Sequence, residues 1–145
     1  MKDWTFLTQV KAGTGLPITP LFPGIVGGTG VTGPIRPDYT GAPLYDAPDG
    51  RFLNPAAVAA PQPGRWGNAG RNSIEGPAQF SLNASMLRTF RLSDRVNADL
   101  RIDANNALNH VVYTNWYTTI TSPQFGLPSA ANGMRTVQTR FVVRF

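Results

Sequence analysis

Several residue types that catalytic and metal sites need are scarce or missing. The chain of 145 residues contains no cysteine, so it can form neither a disulfide framework nor a thiolate metal site. His110 is its single histidine, and a hydrolytic triad or a histidine-based metal site needs partners that orient or share the imidazole. Gly28, Gly30 and Gly33 match a dinucleotide-binding fingerprint by letter, but Pro34 follows at once where that motif needs a helix. We therefore expect no catalytic residues, no metal and no cofactor.

Long apolar runs are also missing. No stretch approaches the ~18 continuous apolar residues of a membrane-spanning helix, so any insertion into a bilayer must be as a β-barrel. The 13 Lys and Arg residues outnumber the 8 Asp and Glu residues. The arginines are dispersed, and several alternate with apolar residues, unlike a patch that follows a phosphate backbone. We expect no nucleic-acid partner.

The clearest pattern present is the alternation of apolar and polar residues in residues 135–145. Phe145, Val143 and Phe141 fall on one face of an extended strand, and Arg144 and Arg140 fall on the other. Soluble domains rarely end on an aromatic residue, because their termini usually fray in water. In outer-membrane barrels, apolar residues face lipid, polar residues face the lumen and aromatic residues lie at the interface. The pattern predicts a strand of a bacterial outer-membrane β-barrel.

Residues 96–106 repeat this alternation independently. Their length is about the 9–11 residues that a tilted strand needs to cross a bilayer, and a period of two excludes a helix. The residues predicted to face lipid are Val96, Ala98, Leu100 and Ile102. The residues predicted to face the lumen, here and in the last strand, are Asn97, Asp99, Arg101, Asp103 and Arg140. Asp99 and Asp103 share this face and could be taken for a paired-carboxylate site, but Arg101 between them favours a charge ladder that hydrates or staples the lumen.

Two further strands are predicted at residues 4–12 and 80–90. Arg88 interrupts the apolar face of the second of these, near its end, where a long arginine side chain can reach the lipid headgroups. Residues 13–77 contain 13 of the 15 glycines and 11 of the 13 prolines, so we expect a long loop without a regular sheet. Residues 92–95 form a short turn, and residues 107–134 form a looser loop.

These connections define the fold class and its orientation. The prediction is all-β: an antiparallel four-strand meander that is a fragment of a large outer-membrane β-barrel, with a long Gly/Pro-rich loop at residues 13–77. Such barrels have short periplasmic turns and long extracellular loops, which places the turn at residues 92–95 in the periplasm. The first residues lack the apolar region of a signal peptide, so we expect the natural N-terminus to lie upstream. The alternatives are a secreted soluble β-domain that binds glycan or protein through its long loop, and a hydrolase that uses Asp99 and Asp103.

Several short stretches carry a family likeness. They are AGTGLP at residues 12–17, FLNPA at 52–56, GNAGRN at 67–72, SMLRTF at 85–90, ANNALNH at 104–110, and the terminal Phe145. In this order and spacing, the chain resembles the C-terminal end of TonB-dependent receptors, especially the Oar-like type with an upstream carboxypeptidase-regulatory-like domain. It departs from the family at residues 103–106, where a more apolar or aromatic strand end is usual.

The resemblance implies a barrel of about 22 strands whose lumen is closed by a plug. Such receptors bind a ligand outside and import it with energy delivered by TonB. The plug and the TonB-binding segment belong to an N-terminal region that this chain lacks, so the chain alone should not transport. The expected partners are outer-membrane lipid, the rest of the barrel and plug, TonB, and the barrel-assembly machinery. The resemblance implies that this machinery recognises Phe145, Val143 and Phe141.

Overall fold

A computed structural model describes residues 3–31, 33–48 and 50–145. No helix in these ranges is long and apolar enough to cross a membrane. The elements of the described chain, in order, are β1 (Trp4–Gly13), β2 (Pro17–Ile18), β3 (Asp38–Tyr39), the 3₁₀ helix η1 (Pro55–Ala57), β4 (Val58–Ala59), β5 (Ile74–Glu75), β6 (Gln79–Arg91), β7 (Asn97–Asn105), β8 (Tyr113–Trp116), β9 (Pro128–Ala131) and β10 (Thr136–Arg144).

The four long strands form one antiparallel sheet in the order β1-β6-β7-β10. Long strands that follow one another along the chain are neighbours in the sheet, which makes it a meander. The predicted all-β antiparallel fold is thus confirmed. The period-two pattern predicted these strands because each of them has one apolar side. A slip of the register by one residue would move the apolar residues of a strand to the opposite face of the sheet.

The register brings the apolar sides of all four strands onto one face. Phe6 pairs with Met86, Met86 with Ile102, and Ile102 with Thr139. Because side chains alternate along a strand, every second residue from these positions shares the face. The large apolar residues of this face are Trp4, Phe6, Val10, Phe80, Leu82, Met86, Phe90, Leu100, Ile102, Val137, Phe141 and Val143.

A tight turn at residues 92–96 joins β6 to β7. The N–H of Leu92 donates to the carbonyl oxygen of Val96 over 2.9 Å, and the N–H of Val96 donates to that of Ser93 over 3.3 Å. Val96 was predicted to be the first lipid-facing residue of its strand, but these bonds include it in the turn, and β7 begins at Asn97. The strand ends at Asn105 because Asn106 has a φ of 48°, which an extended strand does not permit.

The predicted long loop lies between β1 and β6, and its strands β2 to β5 have only two residues each. Residues 14–78 together with residues 113–131 form a second compact unit, which the composition of the segment did not predict. The pairs β2–β5, β3–β4 and β8–β9 contribute short antiparallel ladders. The hydrophobic core of this unit consists of Ile18, Leu53, Val58, Ile74, Trp116 and Phe125. The ladders β2–β5 and β3–β4 have two residues in each strand, which is too short for periodic patterning, and the ladder β8–β9 is interrupted by register shifts.

Glycines and polar side chains allow the segments of this second unit to pack closely. A Cβ on Gly67 would lie 2.1 Å from the carbonyl oxygen of Arg36, and Gly126 has a φ of 78°. The guanidinium of Arg51 donates to the carbonyl oxygen of Pro123 over 2.7 Å and to that of Phe125. Proline and glycine therefore shape a folded unit here, with side chains satisfying carbonyl groups that a sheet would otherwise pair.

Candidate functional site

The two faces of the four-stranded sheet form the candidate site. Ala98, Leu100 and Ile102 lie on the apolar face, as predicted from their alternation along β7. At the edges of the sheet this face is open: the exposed fraction is 61% for Phe6 on β1 and 63% for Phe141 on β10. A contiguous exposed apolar surface marks a site of contact with protein or membrane.

The opposite face of the sheet is a ladder of charged and polar side chains. The hydroxyl of Thr89 donates to Asp99 over 2.7 Å, and Arg144 forms a salt bridge with the same carboxylate. Arg101 pairs with Asp103 over 2.9 Å. Both pairs are partly exposed, so each contributes at most about 1 kcal/mol to stability. Together, these contacts keep the charged side chains ordered and the face hydrated.

Arg101 and Arg140 lie directly opposite each other in the register. Like charges in that position repel, and the neighbouring carboxylates of Asp99 and Asp103 compensate for them. A concavity of about 310 Å³ opens beside this cluster. Its lining residues are Leu87, Asp99, Arg101, Arg140, Val142 and Arg144. Each aspartate has an arginine partner, so the arrangement is the predicted charge ladder and not a free pair of carboxylates. Asn97, which is also predicted to lie on this face, pairs with Arg144 at the end of the β7–β10 ladder.

The strand β10 forms one edge of the sheet. In the described residues it pairs only with β7, so its other side offers unpaired backbone groups. Phe141 pairs with Leu100 and Val143 with Ala98, which puts both on the apolar face. Phe145 follows the strand directly and is fully exposed. The three residues predicted as an assembly signal thus lie on, or next to, an open strand edge.

An antiparallel sheet with one apolar and one polar face is the geometry of a barrel wall. A family model described as an outer membrane beta barrel domain matches residues 1–138. The chain belongs to this family. Its location in the bacterial outer membrane is therefore established, and the alternative of a secreted soluble β-domain is not retained. Comparison with curated proteins gave no match, and neither did comparison with solved structures.

An aromatic and cationic cluster lies at the end of the barrel wall next to the turn. The guanidinium carbon of Arg88 is 4.8 Å from the centroid of the Trp4 ring and 4.5 Å from that of Phe90. Trp4 also stacks on Phe6, with ring centroids 5.8 Å apart. The sequence placed Arg88 near a strand end on the apolar face. It did not reveal the two aromatic contacts, because Trp4 belongs to a strand more than 80 residues earlier in the chain.

At the other end of the barrel wall, Asn106 organises the start of the β7–β10 connection. It is buried and accepts a hydrogen bond from the N–H of His110 over 3.0 Å. Its amide donates to the carbonyl oxygens of His110 and Gly133 over 3.1 and 3.0 Å. Its backbone N–H donates to the side chain of Asn83 over 3.0 Å. Asn106 was not among the predicted site residues, although it lies within the ANNALNH stretch that carried the family likeness.

Proposed function

We propose that this chain is the C-terminal barrel segment of a TonB-dependent outer-membrane receptor that takes up a ligand, and that the segment itself is not catalytic. The observation that supports this most directly is the four-stranded wall with open edges at β1 and β10. Such a wall requires further strands to close a barrel, because open edges do not occur within the hydrocarbon region. The ordered motifs of the family likeness supply the finer assignment to TonB-dependent receptors.

In this proposal the apolar face, with Ala98, Leu100 and Ile102, contacts outer-membrane lipid. The polar face, with Asp99 and Arg101, faces the lumen and the plug. The remaining strands of the same protein pair with the edges at β1 and β10. TonB acts through an N-terminal region of the full-length protein, and the barrel-assembly machinery binds the terminal strand. Nucleic acid has no part in this function.

The second compact unit, which consists of residues 14–78 and 113–131 and is called the loop unit below, gives the proposed receptor a structured surface for a ligand. Its core residues Leu53 and Ile74 are fully buried, so the unit presents a defined shape and not a mobile chain. Loops on a rigid scaffold are where binding residues concentrate. With the short turn at residues 92–96 in the periplasm, the β1–β6 and β7–β10 connections are extracellular.

Dependence on TonB tests the proposal. We expect bacteria that lack this gene to lose growth on one or more nutrients, and bacteria that lack TonB to lose growth on the same nutrients. Deleting both genes should reduce growth on those nutrients no further than either single deletion does. Returning the intact gene to bacteria that lack only this gene should restore their growth. Uptake that needs this protein but continues at the wild-type rate without TonB would rule the proposal out. The reading frame upstream of residue 1 should also encode further alternating strands and a plug.

A further inference from the structure

Arg88 is the one charged residue on the apolar face within the four long strands as the structure describes them. Its register neighbours are Trp4 and Leu100. No carboxylate in the described part of the chain forms a salt bridge with it. A cation on a face that meets lipid therefore needs a partner from outside these residues.

The two rings position the guanidinium but do not satisfy it. Trp4 and Phe90 both lie within 5 Å of its carbon and stabilise the positive charge through their π faces. The five N–H groups of a guanidinium lie in its plane and point toward its edges, where ring faces offer no lone pairs. Arg88 is exposed, so these edges are open to a ligand. The group is preorganised for a planar, bidentate anion, for which arginine is better suited than lysine.

The position of Arg88 along its strand identifies the anion. It lies three residues before Arg91, the end of β6, which is about 10 Å along a strand. Tilt of the strand makes its depth in the bilayer smaller still. Aromatic and basic residues of membrane proteins concentrate at this depth because the lipid headgroups lie there. The acceptor at that depth with paired anionic oxygens is the phosphate of a lipid.

We propose that Arg88, held between Trp4 and Phe90, binds the phosphate of a phospholipid in the periplasmic leaflet. The leaflet follows from the proposed orientation of the barrel, with the turn at residues 92–96 in the periplasm, and does not depend on TonB. The acyl chains of the lipid lie along the apolar face, beside residues such as Phe6 and Leu100. Binding of this lipid would hold β1 and β6 at a fixed depth in the bilayer, at the end of the sheet next to the turn.

Native mass spectrometry of the full-length protein tests the site. Purified protein in detergent is titrated with phosphatidylglycerol, with lipid A and with inorganic phosphate. We expect a retained phosphatidylglycerol whose affinity falls by about tenfold in Arg88→Gln, because a charge-assisted hydrogen bond is lost. Arg88→Lys should recover part of the affinity. Arg95→Gln is the matched control, since it removes the same charge from the neighbouring turn, and it should bind as the wild type does.

The other outcomes contradict the proposal in distinct ways. Equal retention of phosphatidylglycerol by the wild type and by folded Arg88→Gln means that Arg88 only extends toward interfacial water. Preferred retention of lipid A over phosphatidylglycerol places Arg88 in the outer leaflet and overturns the orientation. Displacement of the lipid by inorganic phosphate shows a site for free anions. Resistance of the folded barrel to unfolding in detergent, measured for each variant, separates a lost site from a lost fold.

Discussion

At the scale of single residues, Asn106 shows how one side chain ends a strand. Its left-handed backbone stops β7, and its side chain then supplies hydrogen-bond partners to His110 and Gly133. Asparagine tolerates this conformation better than most residues, and it offers both a donor and an acceptor. The connection to β10 therefore begins from a fixed position directly after β7.

We expect Asn106→Ala to destabilise the folded barrel by about 1–3 kcal/mol, because buried groups lose their partners and alanine is strained at a positive φ. Asn106→Gly removes the backbone strain but does not restore the lost hydrogen bonds. It should therefore destabilise the barrel, but by less than Asn106→Ala does. Asn105→Ala is the control, since the side chain of Asn105 makes one bond of 3.4 Å. Urea unfolding of the refolded protein gives the three values. Equal stability of Asn106→Ala and Asn105→Ala would refute this role.

The residues of the charge ladder could be predicted from sequence, but Asn106 and the contacts of Arg88 could not. Asp99, Arg101 and Asp103 reveal their shared face through local alternation alone. The partners of Asn106 include Asn83 and Gly133, which are distant along the chain. Such networks depend on the register of strands with one another, and a single strand does not contain that information.

At the scale of elements, each long strand separates apolar side chains on one face of the sheet from mostly polar side chains on the other. Ile102 and Gln138 illustrate this: Ile102 is on the apolar face near the middle of β7, and Gln138 on β10 pairs with Asp103 on the polar face. The environment of a side chain is set by the face on which it lies. The same substitution should therefore have different costs at these two positions.

We expect Ile102→Arg to destabilise the barrel by roughly 2–4 kcal/mol, the cost of a cation facing lipid near the midplane. Gln138→Arg adds the same charge beside the carboxylate of Asp103 and should change stability by less than about 1 kcal/mol. Equilibrium folding into lipid vesicles measures both. If both variants fold with the same free energy, the assignment of the faces is wrong.

The loop unit is the element whose order sequence reasoning missed. Its core residues are single apolar positions scattered among prolines and glycines, and they meet only through contacts such as that of Phe52 with Trp116, whose ring centroids are 4.8 Å apart. Composition alone indicated an irregular segment. Packing of isolated apolar residues from residues 14–78 and 113–131 produced a core instead.

Phe125, with 1% of its surface exposed, should be essential to this unit. We expect Phe125→Ala to cost the loop unit about 3–5 kcal/mol, the usual cost of removing a buried phenylalanine. Limited proteolysis of intact cells should then cleave within residues 14–78 much faster than in the wild type, while the protein remains in the outer membrane. Tyr117→Ala, at a more exposed aromatic residue of the same segment, is the control. Unchanged cleavage of Phe125→Ala would mean that the core does not hold the unit together.

At the scale of the whole molecule, the edges of the sheet are the feature that bears on assembly. Within the described residues, β1 and β10 each pair on one side only, and the apolar face is open beside them. Such edges favour uncontrolled pairing unless other strands or an assembly factor cover them. In the proposed function, β10 is the edge that the barrel-assembly machinery engages, with Phe141 and Val143 on its apolar face and Phe145 beyond it.

Replacing Phe145 separates a role in assembly from a role in ligand binding. Phe145→Asp removes the exposed aromatic residue and adds a charge at the interface, while the loop unit remains intact. We expect the full-length protein with this change to fail to insert and to be degraded in the periplasm, whereas Phe145→Tyr should insert normally. Leu92→Asp adds the same charge in the turn at the same end of the sheet, and it should insert nearly as well as the wild type. Surface labelling of a tag placed between residues 27 and 28 reports insertion. Wild-type labelling of the Phe145→Asp protein would show that β10 is not recognised through its terminal aromatic residue.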